Sequence, residues 1–136
     1  HTIGRRQRQM CIRDRIIIPH KENILCNKIQ ICINRNVDII LIIGPHAITH
    51  IKDVIPNSVL KSGAKIIRFG IPVEPGNLLL LSKFKSSNRD IYIIGMPSCA
   101  KSPKENGLDW VLWRILCNIN FKNSNLNELS IGGLIK

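Results

Sequence analysis

The most chemically pointed stretch of the chain is Gly95-Met96-Pro97-Ser98-Cys99-Ala100-Lys101-Ser102. It delivers small residues into what reads as a helix start. Ser102 suits an N-cap, Pro103 suits the first helical position, and Glu105 stands three residues after the cap, which together form a capping-box pattern. Free backbone N–H groups and the helix dipole favour an anion at such a terminus. Lys101 and Lys104 add positive charge, and Ser98 can donate a hydroxyl, so a phosphate is the natural guest. The plainer alternative is an ordinary capped helix with solvated lysines. Cys99 sits in the same loop, either as a thiol activated by the helix terminus or as a small packing residue.

A second group is His46, Thr49, His50 and Asp53. A carboxylate at Asp53 could hold a metal, orient a ligand or cap a helix starting at Val54. The two histidines at i and i+4 come without a third ligand in the pattern, so no metal site is assigned. Glu74 could meet a ligand amine or hydroxyl, or face solvent. Paired catalytic carboxylates, a Ser-His-Asp set and a P-loop are all missing from the sequence, so no reaction follows from it.

The elements that must position these residues alternate between strand and helix patterns. Ile16-Ile17-Ile18 reads as a short strand ended by Pro19. Residues 21–35 place Ile24, Leu25, Ile29, Cys32 and Ile33 at helical spacing. Residues 38–43 form a continuous apolar run, as expected of a strand covered on both faces. A helix over residues 54–62 follows, with Pro56 in its first turn and Gly63 as its C-terminal cap. Residues 64–69 and 90–94 are further strands. Leu78 to Leu81 reads equally as helix or strand, and residues 83–88 read as a polar connection. The last helix is expected to run from Ser102 to about Cys117, burying Leu108, Val111, Leu112, Ile115 and Leu116. This alternation predicts an α/β fold, a three-layer α/β/α arrangement with a mainly parallel sheet. In such a sheet the loops leaving the strand C-termini lie along one edge, where ligands bind. Those loops are residues 44–53, 70–77 and 95–101. Each begins with glycine, which permits close backbone approach, and each contains proline, which presets its shape.

Composition bounds the rest. With 136 residues and 44% hydrophobic content the chain suits one domain, and 4% aromatic content makes the core aliphatic. No apolar run reaches the roughly 18 residues that span a bilayer, so no membrane partner is expected. Cys11, Cys26, Cys32, Cys99 and Cys117 form no CxxC pair and are odd in number, which reads as reduced, buried thiols in a cytoplasmic protein. The net charge of +11 does not mark a nucleic-acid binder, because the basic residues of the body are scattered and few aromatics are present to stack bases. Residues 1–15 contribute +4 of that charge through five arginines and one aspartate. They contain no lysine, unlike the body. Met10-Cys11-Ile12-Arg13-Asp14-Arg15 resembles the translated end of a transposon sequencing adapter, ATG-TGT-ATA-AGA-GAC-AG, so residues 1–15 are expected to be adapter-derived and are set aside. Residues 16–118 form the domain. Residues 119–136 are a polar, asparagine-rich connector leading toward a further element at Ile131-Gly132-Gly133-Leu134, as in a fragment of a longer protein.

Three stretches carry a resemblance. They are Gly44-Pro45-His46-Ala47-Ile48-Thr49-His50-Ile51-Lys52-Asp53-Val54-Ile55-Pro56, Gly70-Ile71-Pro72-Val73-Glu74-Pro75-Gly76-Asn77-Leu78-Leu79-Leu80-Leu81, and residues 95–112 from Gly95 through the Ser102-Pro103-Lys104-Glu105-Asn106-Gly107-Leu108-Asp109-Trp110 segment. From about His20 to Lys136 the chain resembles the molybdopterin-binding domain of bacterial fusion proteins in which that domain precedes a nucleotidyltransferase like molybdenum cofactor cytidylyltransferase. It is similar, more distantly, to molybdopterin molybdotransferases and adenylyltransferases. The resemblance implies a pterin and its phosphate lying over the strand ends. It places Asp53 as the counterpart of an acidic active-site residue, and it implies cofactor contacts at Gly44, Thr49, Pro75, Gly76, Asn77, Gly95, Pro97, Ser98, Cys99, Ala100, Lys101, Ser102 and Lys104. It further implies a binding domain for molybdopterin or the molybdenum cofactor, in biosynthesis or delivery. The partners would be a nucleotidyltransferase domain in cis, acting with magnesium and a nucleotide, a molybdoenzyme client and a second copy of the chain. Ser98 stands where the related enzymes have glycine, and His46 and His50 replace a glycine- and serine-rich or acidic first loop. These departures put catalytic transfer in doubt more than binding. The alternatives are an active adenylyl- or molybdotransferase and a non-enzymatic interaction module. If residues 1–15 are adapter-derived, sequencing the source DNA will find coding sequence unrelated to the genome upstream of Ile16; continuous genomic sequence there would overturn that reading.

Overall fold

The structure, a computed structural model, describes residues 14–72, 76–87 and 89–117. The connector at 119–136 and nearly all of residues 1–15 lie outside them. The described elements are α1 (Glu22–Asn34), β1 (Ile39–Ile42), α2 (Val54–Lys61), β2 (Lys65–Phe69), β3 (Leu80–Lys85), β4 (Asp90–Gly95), a 3-10 turn (Ser98–Lys101) and α3 (Gly107–Leu116). The sheet order is β1-β4-β3-β2.

The fold is α/β, but the sheet is mixed rather than mainly parallel. β1 and β4 are parallel, whereas β3 runs antiparallel to both β4 and β2. The difference lies in residues 83–88. What reads as a polar connection is the second half of β3. Its alternation persists beneath the lysines: Leu80 and Phe84 join one apolar cluster and Leu81 joins the other. Lys83 is accommodated because its Nζ lies 3.2 Å from Asp90 Oδ2 and 5.5 Å from the centre of the Tyr92 ring. A tight hairpin, closed by Ser86 N donating to Arg89 O at 3.0 Å, then turns the chain into β4. Ile16 to Ile18, expected as a strand, pair with no described strand, and Ile17 is 93% exposed.

Two apolar clusters cover the two faces of the sheet, as the period-2 alternation of strand side chains requires. On one, α3 buries Leu108, Val111 and Ile115 against Leu79, Leu81 and Ile94. On the other, Leu25 and Ile29 of α1 and Ile55 and Val59 of α2 pack on Ile42, Leu80 and Ile93. Leu116, expected in the α3 stripe, is instead 43% exposed at the helix end. α1 and α2 are also clipped together. Glu22 pairs with Lys61 and accepts from Asn57 Nδ2 at 3.4 Å, and the Ser58 hydroxyl lies 3.1 Å from Glu22 O. The Lys61 ammonium holds the Glu22 carboxyl below its usual range, and Glu22 in turn raises Lys61.

α2 ends as the sequence predicts. Gly63 has φ +95°, its N–H donates to Leu60 O at 3.1 Å, and Ala64 N donates to Val59 O at 3.3 Å. This is the Schellman arrangement, whose left-handed residue tolerates no Cβ cheaply. Gly63→Ala is therefore expected to lower stability by about 1–2 kcal/mol, measurable as a lower urea midpoint at constant slope; an unchanged midpoint would contradict this account of the cap.

Candidate functional site

The mixed sheet still gathers the three glycine-led loops. Because β3 is antiparallel to both neighbours, β1, β4 and β2 all point the same way. Their last residues share one row: Ile42 is partnered with Gly95, Gly95 with Leu80, and Leu80 with Phe69. The chain continues from this row into the loops at Gly44, Met96 and Gly70. Met96 N donates to Ile42 O at 2.8 Å, so the first and third loops leave side by side. The second loop closes on itself, with Gly70 N donating to Leu79 O at 2.8 Å and Ile71 N to Asn77 O at 2.9 Å.

Two glycines let the loops meet. A Cβ on Gly95 would stand 2.5 Å from Ile48 Cδ1 and 3.0 Å from Leu80 Cβ, so the first loop rests directly on the end of β4. Gly76, at φ +112°, comes so close to the start of α3 that a Cβ would stand 2.6 Å from Gly107 N. The second loop thus seats α3.

The first loop is organised by Asp53. Its Oδ2 accepts from Thr49 N and from His50 N, both at 3.0 Å. Asp53 occupies the N-cap position of α2 with extended backbone, but its side chain makes no capping bond. The carboxylate turns back to the loop amides instead, against the capping alternative. The His50 and Thr49 N–H groups, in that order, hold its carboxyl below the ordinary range, and the nearby His50 ring adds to this. His50 Nδ1 accepts from Lys52 N at 3.0 Å, so this ring too belongs to the loop scaffold. Beside it opens a cleft of about 280 Å³ lined by His20, His46, Thr49 and Asp53, over Ile48 and Ile55. His20 was not singled out by sequence reasoning. A signal existed: a helix that feeds directly into a strand begins at that strand's far end. The residue before α1 therefore arrives at the C-terminal edge of β1.

The third loop departs most from the expectation. Residues 98–101 form a 3-10 turn, with Ala100 N donating to Pro97 O at 2.9 Å. The Ser102 hydroxyl accepts from Lys104 N at 3.2 Å, and α3 starts only at Gly107. The capping box exists four residues further on, at Asn106 and Asp109. Asn106 Oδ1 accepts from Leu108 N and Asp109 Oδ2 accepts from Asn106 N, each at 3.0 Å. Glu105, expected to reach back to the cap, accepts from Trp110 Nε1 at 2.8 Å. Asn106 and Asp109 are both 1% exposed, so the α3 terminus is closed and already faces a carboxylate. The α3 terminus is therefore not open to a phosphate, and the cationic character of this loop rests on Lys101 and Lys104, both exposed.

Among the expected contact residues, Gly44, Thr49 and Asp53 fall together in the first loop, and Gly95, Pro97, Ser98, Ala100, Lys101, Ser102 and Lys104 in the third. Gly76 and Asn77 end the second. Pro75 and Glu74 lie outside the described residues, as does the side chain of Cys99. Among the described residues, Cys26, Cys32 and Cys117 carry free thiols, and, contrary to expectation, none is fully buried: Cys26 and Cys32 are half-buried on α1, and Cys117, just past the end of α3, is exposed. No three His, Cys, Asp or Glu side chains among them converge to hold a metal ion, and no helix among them is long and apolar enough to cross a membrane. No family model, curated protein or solved structure matches the chain.

The lowered Asp53 carboxyl has a pH signature. A depressed folded-state pKa contributes stability above the ordinary carboxylate range that is lost as pH falls through the folded value. Amide exchange at Thr49 and His50 is expected to be slow near neutrality and to lose protection on acidification. Asp53→Ala should abolish the protection at every pH, and Asp53→Asn, which keeps an acceptor oxygen, should preserve part of it. Equal exchange in the wild type and in Asp53→Ala would sink the assignment.

Proposed function

We propose that this chain binds molybdopterin, as a domain of three-layer, molybdopterin-binding type that serves cofactor biosynthesis or delivery. The observation that carries this reading is the row Ile42–Gly95–Leu80–Phe69. It brings to one edge the three loops whose sequences resemble that family. A phosphorylated pterin needs backbone groups that approach a flat ring closely and a cation for its phosphate. The first need falls to the backbone of the loops themselves, since Ile55 and Ile48 take the side-chain space of Gly44 and Gly95, and the exposed ammonium groups of Lys101 and Lys104 meet the second. The residues present therefore fit the ligand in kind. The ligand would be passed to a nucleotidyltransferase domain in the same chain, using magnesium and a nucleotide, or to a molybdoenzyme in the cytoplasm.

Binding is favoured over transfer by the state of Asp53. An adenylyl- or molybdotransferase would use this carboxylate on its substrate or metal. Here Oδ2 already accepts from two amides of its own loop, so this oxygen holds the loop and not a reacting group.

Titration of the full chain with a phosphorylated pterin, with and without ATP and magnesium, tests the reading. Saturable binding without turnover is expected. Lys101→Ala should weaken the phosphorylated form about fivefold, in line with an exposed ion pair worth about 1 kcal/mol, and weaken the dephosphorylated form less. Equal weakening of both would remove the phosphate from Lys101. ATP-dependent product that disappears in Asp53→Asn would establish the transferase instead, and failure to bind either pterin would leave an interaction module.

A further inference from the structure

The cleft beside the first loop differs in character from the lysine-bearing third loop. Its lining includes the exposed His20 and His46, the buried Ile48 and Ile55, and the polar Thr49 and Asp53. His20 arrives from outside the three loops, and its Cε1 lies 3.5 Å from where a Cβ on Gly44 would stand. At about 280 Å³ the cleft falls just below the roughly 300–1,000 Å³ of sites that enclose a whole small-molecule ligand. It has room for one ring system, not for a ring with its phosphorylated tail. Its sign also selects. A phosphate would meet the Asp53 carboxylate, whereas a neutral ring carrying N–H groups would find an acceptor there. The aliphatic and imidazole lining suits an aromatic face.

We propose that this cleft is a ring-binding subsite for a flat, uncharged nitrogen heterocycle, with His20 and His46 contacting its faces or rim and the Thr49–Asp53 edge meeting its N–H groups. The inference rests on the pterin-binding reading for the identity of the ring, because a pterin and a nucleobase share this chemistry. It assigns the two ends of the ligand to different loops: the ring to the first loop, the phosphate to Lys101 and Lys104. His20 then becomes a specificity residue that no loop motif includes.

The full chain is titrated with 6-hydroxymethylpterin, which has no phosphate, by quenching of the pterin's own fluorescence. Adenosine is titrated in parallel, and inorganic phosphate is added as a competitor. Saturable pterin binding is expected, weakened roughly three- to tenfold by His20→Ala and by His46→Ala, and not displaced by phosphate. Both histidines are exposed, and an unchanged circular dichroism melting curve verifies that each variant is folded. Binding of adenosine in place of the pterin, weakened by the same substitutions, would support the ring subsite and overturn the pterin reading. Binding of a phosphorylated pterin that neither histidine substitution alters would overturn the subsite and leave the pterin reading intact. Displacement by phosphate, or no binding of either ring, would also overturn the subsite.

Discussion

Gly95 stands at the centre of the strand-end row, partnered with Ile42 on one side and Leu80 on the other. The space its side chain would occupy is filled by Ile48 Cδ1. Most of the arrangement of this edge depends on that contact. It anchors the first loop on the end of β4, which places Ile48 in the lining of the cleft together with His46, Thr49 and Asp53. Close packing gives such a position no latitude, because an interior filled at crystal density absorbs an added methyl only by moving its neighbours.

The same economy of side chains recurs at Gly76, where the second loop touches the start of α3. Here the consequence is electrostatic. With Gly107 seated against Gly76, α3 begins at the Asn106–Asp109 box, and that terminus is sealed inside the protein. The positive end of the α3 dipole is satisfied internally, so the loop's exposed positive charge comes from Lys101 and Lys104 alone. In the first loop the division is similar. The Asp53 Oδ2 serves its own loop's amides, and the carboxylate lines the cleft together with His20, His46, Thr49 and the aliphatic Ile48 and Ile55. The edge thus carries two chemically distinct loops side by side, the third cationic and solvated, the first bordering a cleft that holds two histidines and the Asp53 carboxylate.

Much of this was legible beforehand, for identifiable reasons. α1 follows from helical apolar spacing, β1 from a continuous apolar run, and α2 from Pro56 in its first turn and from Gly63, which marks its end because few other residues adopt φ +95°; β2 and β4 were also expected as strands. The reading failed where two local patterns compete. Ser102-Pro103-Lys104-Glu105 and Asn106-Gly107-Leu108-Asp109 are both sound capping signals, and local chemistry ranks the first higher through its proline. Burial ranks the second higher, since Asn106 and Asp109 satisfy each other inside the protein. β3 was obscured because Lys83 and Lys85 look like a connection until Asp90 and Tyr92 are seen across the hairpin. His20 was overlooked because it belongs to no loop motif.

The sequence alone determined that this is an α/β chain with an aliphatic core, and which segments leave the strand ends behind a glycine, because those properties are set by side-chain period and backbone freedom. Tertiary structure decided the direction of β3, the start of α3, the role of Asp53 and the meeting of His20 with the first loop. Each of those depends on which partner is nearest in space when several are chemically acceptable. Local sequence names the acceptable partners, and only packing selects among them.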